Sequence, residues 1–343
     1  MRPGLRSERN PGYGLNVHIL ITGAAGMIGR KLTERLIGAG ELNGEPIERI
    51  TLLDVVPPTA PAQPACEVQA VAADLSAPGE ATRIVAQRPQ AIFHLAGVVS
   101  GEAEIDLEKG YRVNLDGMRA LLEAIRAIGD GYRPKLIYTS SIAVFGAPFP
   151  HSIPDDFHLT PLTSYGTQKA IGELLLADYT RRGFCDGVGI RLPSVVVRPG
   201  KPNAAASGFF SGIIREPLAG LEASLPVPDT VVHTHASPRA AVGFLVHAAG
   251  LARDALGARI NLSMPGVCCT VAEQVAALRR IAGERVAARV RRDQNPVIAR
   301  IVEGWPQRIE ARRARELGFT AESSFDEIIR IHIDEDRGGS FVA

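Results

Sequence analysis

One short segment restricts this chain more than any other. An apolar run at 17–22 leads directly into Gly23-Ala24-Ala25-Gly26-Met27-Ile28-Gly29, and a stretch of helical spacing follows. Gly23 permits a tight turn and Gly26 lets the backbone approach a pyrophosphate with no Cβ between them. Gly29 allows the helix to lie close on the strand. The helix N-terminus then offers free N–H groups and a partial positive charge to phosphates. Glycine patterns are common, but this one stands in a strand–loop–helix context, which makes Gly23, Gly26, Met27, Ile28 and Gly29 a candidate dinucleotide loop.

The segments that follow keep alternating. Strand-like runs at 50–56, 68–72, 91–95, 135–139 and 187–192 are separated by helical spacing at 31–40, 77–87, 111–128 and 164–182. Such alternation predicts an α/β fold, a Rossmann-type doubly wound parallel sheet with helices on both faces. Ligands of these sheets bind at the carboxyl ends of the strands. Asp54 falls near the end of the second strand. There a carboxylate can accept hydrogen bonds from the adenosine ribose and repel a 2′-phosphate, so NAD is expected rather than NADP. Asp54 lies further from Gly23 than usual, and the insert at 40–48 reads as a loop that accounts for this.

The rhythm loosens after Val197. We expect a leader at 1–15, a NAD-binding domain at 16–197 and a smaller C-terminal substrate lobe at 198–343, with a chain return at about 231–264 as strand, helix and strand. Helices are expected at 271–280, 310–317 and 325–334.

Charge nearly balances, with 38 Lys and Arg against 37 Asp and Glu. No global basic field argues for nucleic acid or an anionic membrane surface. The basic run 289–292 reads as a solvated face. Cys66, Cys185, Cys268 and Cys269 form no CxxC pair and no zinc-like spacing, so no metal is expected. They suit a reducing compartment, and a cytoplasmic protein is expected. The N-terminal segment lacks a secretory apolar core, and no apolar run is long enough to span a membrane as a helix.

Tyr165-Gly166-Thr167-Gln168-Lys169 sets a tyrosine and a lysine on one helix face. An ammonium near a phenol favours the phenolate, which can take a proton from a substrate alcohol as hydride leaves its carbon. The strand at 135–139 runs into Ser140 and Ser141, and either hydroxyl could contact the same substrate oxygen.

Taken together, the glycine loop, Asp74-Leu75, His94-Leu95-Ala96-Gly97, Asn114, Thr139-Ser140-Ser141 and Tyr165-x-x-x-Lys169 resemble the extended short-chain dehydrogenases/reductases, which include nucleotide-sugar epimerases and dehydratases. The resemblance covers about the first 200 residues. It implies a Ser141–Tyr165–Lys169 triad, with Ser141 chosen because it precedes Ile142-Ala143-Val144-Phe145-Gly146. It also implies Asp74 and Leu75 beside the adenine, Leu95, Ala96 and Gly97 along phosphates and ribose, Asn114 supporting Lys169 or the cofactor, and Pro193 against the nicotinamide. His94 is read as a core histidine. A homodimer through the helices 111–128 and 164–182 is implied as well.

The stretch 191–218, with 235–242, is similar to the D-erythronate dehydrogenases. That similarity implies NAD-dependent oxidation of the C2 hydroxyl of a small sugar acid. Such a substrate needs a cationic or hydroxyl-rich site for its carboxylate and a short polar pocket, and arginine can bind a carboxylate bidentately. Arg215 and Arg239 are the candidates, with Ser207, Thr234 and His235 as hydrogen-bonding partners. The rival expectations are a nucleotide-sugar epimerase or dehydratase that retains NAD, and a uronate dehydrogenase.

Overall fold

The computed structural model describes residues 16–62, 64–200 and 207–343; the expected leader at 1–15 lies outside them. Seven parallel strands make the main sheet: β1 (Val17–Thr22), β2 (Glu45–Asp54), β3 (Glu67–Ala72), β4 (Ala91–His94), β5 (Lys135–Ser141), β6 (Asp186–Leu192) and, after two strands of a second sheet, β9 (Asn261–Ser263). Their spatial order is β9-β6-β5-β4-β1-β2-β3. The chain winds outward from β1 to β3, then crosses back to β4 on the other side. The resulting switch between β1 and β4 opens a crevice above their carboxyl ends. Ile19, Leu20 and Ile21 of β1 are completely buried, as expected of a strand covered on both faces.

The insert at 40–48 is not a loose loop. Glu41–Leu42 pairs antiparallel with the start of β2 across Asn43-Gly44, whose φ angles of 57° and 81° suit a tight hairpin turn. The first helix, α1 (Met27–Ala39), buries Leu32 and Leu36 and stops at Gly40 in the left-handed region. The helical spacing at 111–128 resolves into Leu107–Tyr111, one π turn at Arg112–Asp116, and α2 (Gly117–Ile128). The π turn carries the buried Asn114; single π turns recur at functional sites. Thr163 caps α3 (Ser164–Arg181) by accepting the Gly166 N–H.

A second sheet joins β7 (Ser194–Val195), β8 (Val232–Ala236) and β10 (Val267–Thr270) in the order β10-β8-β7. The expected return at 231–264 therefore divides. Helix α5 (Pro238–Gly250) packs Phe244, Leu245 and Ala248 into the main core, and β9 joins the main sheet, but β8 belongs to the second sheet. Between β7 and β8 lies α4 (Gly208–Leu218). With α6 (Val271–Ala282) and α7 (Phe325–Arg337) it closes a separate core containing Phe210, Ile214, Leu278 and Ile328. Burying each such side chain contributes about 1.5–3 kcal/mol. In place of a helix over 310–317 there is a single turn, Arg312–Glu316.

In the basic run, Arg291 pairs with Glu222 and Arg292 with Asp229 at the surface. All four cysteines are free thiols. No helix among the described residues is long and apolar enough to cross a membrane.

Candidate active site

The glycine loop is locked from both sides. Gly23 has φ of 74°, and a Cβ there would lie 2.6 Å from the Ala96 nitrogen; a Cβ at Gly29 would overlap the Gly23 carbonyl oxygen. Asp54 holds the loop as well. Its Oδ2 accepts the Ala25 N–H at 3.0 Å and its Oδ1 accepts the Val56 N–H at 3.2 Å. Asp74 accepts from the Ser76 backbone and hydroxyl and pairs with Arg112 at 2.6 Å. Burial pushes its carboxyl up, but the Ser76 hydrogen bonds and Arg112 outweigh this and leave it below the usual range. Leu75 is buried, and the Ala96 N–H reaches the Thr22 hydroxyl at 3.3 Å.

His94 shares a 2.8 Å hydrogen bond with Thr22 Oγ1 and stacks on Tyr138. Burial, helped by the Lys169 charge, brings its imidazole down to about 3, so it remains a neutral core group. Asn114 accepts the Val98 N–H at 2.9 Å and donates to Gln168 Oε1 at 2.7 Å. A Cβ on Gly97 would stand 2.8 Å from Asn114 Oδ1 and 3.5 Å from Lys169 Nζ. Asn114 thus ties the Val98 backbone to Gln168 on the next helix.

The i, i+4 spacing on α3 aligns Tyr165, Lys169 and Glu173. Lys169 Nζ donates to the Thr139 carbonyl at 2.8 Å and lies 5.7 Å from the centre of the Tyr165 ring. Burial lowers its ammonium to about 8, against the pull of Glu173. Ser141 lines the same cleft as Tyr165, and its Oγ accepts the Ala143 N–H at 3.1 Å. Burial raises the phenol above its ordinary value, while the Ser141 hydroxyl and the Arg198 cation pull it back down. Ser140 is engaged elsewhere. It donates to Glu173 Oε1 at 2.6 Å, and the same carboxylate is gripped by Arg191 at 2.7–3.1 Å. Ser140 is thus tied into the scaffold, while the Ser141 hydroxyl acts on the Tyr165 phenol.

One cavity of about 510 Å³ runs from Gly23 and Gly26 past Gly97 and Pro193 to Tyr165 and the second lobe. Met27, Ile28, Gly29, Leu95, Ser141 and Lys169 also line it, whereas Asp54, Asp74, Leu75, Ala96 and Asn114 do not. At the lobe end it meets Ser207 and Arg215, as expected. Three expected lobe residues do not reach it. Arg239 is at the surface, paired with Glu335. Thr234 Oγ1 donates to the Gln307 carbonyl. His235 is fully buried and bonded to Gln274. The residues that do line this end, and that the spacing did not single out, are Arg198, His233 and Trp305. His233 Nε2 sits 2.7 Å from Ser194 Oγ, and burial lowers its imidazole to about 4, so it is a neutral hydrogen-bonding group. Arg198 could have been found by its position, because it follows closely after the carboxyl end of β6. No such signal marks His233 or Trp305.

A dinucleotide fits this arrangement. The glycine cradle has room only while no Cβ fills it, and the cleft is continuous from that cradle to the tyrosine. Residues 19–238 match the NAD dependent epimerase/dehydratase family. The chain is 48% identical to D-erythronate dehydrogenase of Cupriavidus necator, over 93% of this chain and 98% of that one. It is 36% identical to D-erythronate dehydrogenase of Haemophilus influenzae, over 93% and 99% respectively. Among solved structures, the nucleoside-diphosphate-sugar epimerase from Agrobacterium tumefaciens superposes with a TM-score of 0.93 at 61% identity, covering 98% of this chain and 99% of that one.

Proposed function

The chain belongs to the NAD dependent epimerase/dehydratase family, and on that premise we propose that it oxidises the C2 hydroxyl of D-erythronate to the 2-oxo acid through Ser141, Tyr165 and Lys169. It is an NAD-dependent oxidoreductase. The observation that carries the mechanism is the convergence of Ser141, Tyr165 and Lys169 on one cleft continuous with the glycine loop.

Bound NAD supplies the hydride acceptor. The glycine loop and Gly97 would hold its phosphates and ribose, and Pro193 would abut its nicotinamide. Asp54, at the end of β2, would take the adenosine ribose hydroxyls while it holds the loop through Ala25. Tyr165, as phenolate, removes the hydroxyl proton. Ser141 orients the same oxygen, and Lys169, fixed on Thr139, keeps positive charge beneath the phenol. The sugar acid would lie between Tyr165 and the lobe residues Ser207, Arg215 and His233. This divides the work between 16–197, which holds the cofactor, and 198–343, which holds the substrate.

A homodimer belongs to the same proposal. Leu174, 65% exposed on α3, and Leu107, 55% exposed just before the π turn, leave apolar surface near the helices expected to pair. A cytoplasmic location is supported by the four free thiols.

The likeness to the Agrobacterium protein keeps one alternative, a nucleotide-sugar epimerase with retained NAD. Absorbance of NADH separates the two. The purified chain is given NAD with D-erythronate, L-threonate, D-glucuronate or a UDP-sugar. Sustained NADH release with D-erythronate is expected, and Tyr165→Phe should lower kcat by about 10²–10⁴-fold, as for loss of a general base. Turnover of a UDP-sugar to its epimer without net NADH would overturn the reading.

A further inference from the structure

In a 2-hydroxy acid the carboxylate carbon is bonded to the carbon that carries the reacting hydroxyl. Its oxygens therefore lie within about 3.5 Å of that hydroxyl oxygen. Whatever cation holds the carboxylate must stand beside the phenol that takes the proton. This requirement sorts the basic residues of the cleft. Lys169 is committed to the Thr139 carbonyl. Arg215 donates to the Arg198 carbonyl at 2.8 Å and is neutralised by Glu216. Arg239 lies outside the cleft on Glu335.

Arg198 meets the requirement. We propose that the Arg198 guanidinium is the anchor for the substrate carboxylate, and that it selects 2-hydroxy acids over neutral polyols and nucleotide sugars. The proposal rests on the sugar-acid reading above. The side chain lines the cleft, and its charge is felt at Tyr165. Its Nε donates to the Val195 carbonyl at 3.0 Å and its Nη2 to Ser207 Oγ at 3.0 Å, which fixes the plane of the fork. Its own backbone is pinned by the Ser211 hydroxyl on its N–H and by Arg215 on its carbonyl. No carboxylate among the described residues pairs with it. A half-buried, oriented and uncompensated guanidinium is suited to bidentate capture of a planar anion. Ser207 and Arg215, expected from the sequence to touch substrate, then act chiefly by positioning Arg198.

The test compares wild type, Arg198→Gln and Arg198→Lys in steady-state oxidation of D-erythronate and of its neutral amide, with NAD affinity measured by calorimetry. Arg198→Gln is expected to lower kcat/KM for D-erythronate by about 30-fold or more, the usual result of truncating one side of a desolvated charge pair. The amide should lose much less than the acid, only what the missing cation costs at Tyr165, and NAD affinity should be unchanged. Arg198→Lys should recover part of the D-erythronate rate, and so should added guanidinium with Arg198→Gln. A loss below about fivefold, as for an exposed ion pair, overturns the anchor. An equal loss on acid and amide also overturns it, because Arg198 would then act only through Tyr165 or packing. If wild type releases no NADH with any hydroxy acid, the sugar-acid reading fails and the anchor fails with it.

Discussion

At Tyr165 the phenol is caught between opposing influences. Burial holds the proton on, while the Ser141 hydroxyl and the Arg198 cation favour its loss. The base form therefore grows as pH rises, and kcat/KM for oxidation should climb through the alkaline range. Removing the Ser141 hydroxyl takes away a group that favours the phenolate, which raises the phenol further. Ser141→Ala should accordingly shift the rising limb of the pH–rate profile to higher pH as well as lowering the rate. A limb that stays in place would mean that Ser141 touches the substrate alone. Ser140, one residue earlier, serves the scaffold. The buried Glu173 carboxylate holds both Ser140 and Arg191, and removing one partner of such a pair typically costs about 3–5 kcal/mol.

The elements matter because each delivers its chemistry at an end. Strands β1, β2 and β5 finish at the glycine loop, at Asp54 and at Ser141. Helix α3 begins two residues before Gly166, which has the Ala143 carbonyl oxygen where a Cβ would be. This absence of a side chain lets the helix approach the Ser141 turn. Gly166→Ala should push α3 outward and lower kcat about tenfold or more, as small misplacements of catalytic groups do. NAD affinity, set by the glycine loop, should change little; equal losses in both would contradict this division. These ends were legible from sequence because the signals are local: three glycines within seven positions, a short apolar run before them, and i, i+4 pairing on one helix. The π turn was not legible. Spacing predicts one continuous helix, and the wider turn reflects what Asn114 reaches, Val98 and Gln168, rather than any propensity of 112–116.

At the scale of the whole molecule, the cleft lies where two separate cores meet. Its lobe end is assembled from Arg198, Ser207, His233 and Trp305, which stand more than a hundred positions apart at the extremes. No local period links them, and residue type alone points equally to Arg239 and Thr234, which face other partners. His233 and His235 illustrate the difficulty. They alternate onto one face of β8 and both contact Phe210, yet only His233 borders the cavity. Depth along a strand is a tertiary property. Assembly is also a property of this scale. Light scattering should give twice the 36.6 kDa chain mass, and Leu174→Glu, which places a charge on the exposed apolar face of α3, should shift it toward the monomer. A monomeric wild type would contradict the pairing.

The central claim is that hydride leaves C2 of a small sugar acid while Tyr165 removes the neighbouring proton. It is tested most directly with D-erythronate carrying deuterium at C2 alone. Mass spectrometry of the reduced cofactor should find one deuterium per molecule formed, together with unlabelled 2-oxo acid, and Tyr165→Phe should form neither at a comparable rate. Reduced cofactor without deuterium would place the oxidation at another carbon and contradict the account.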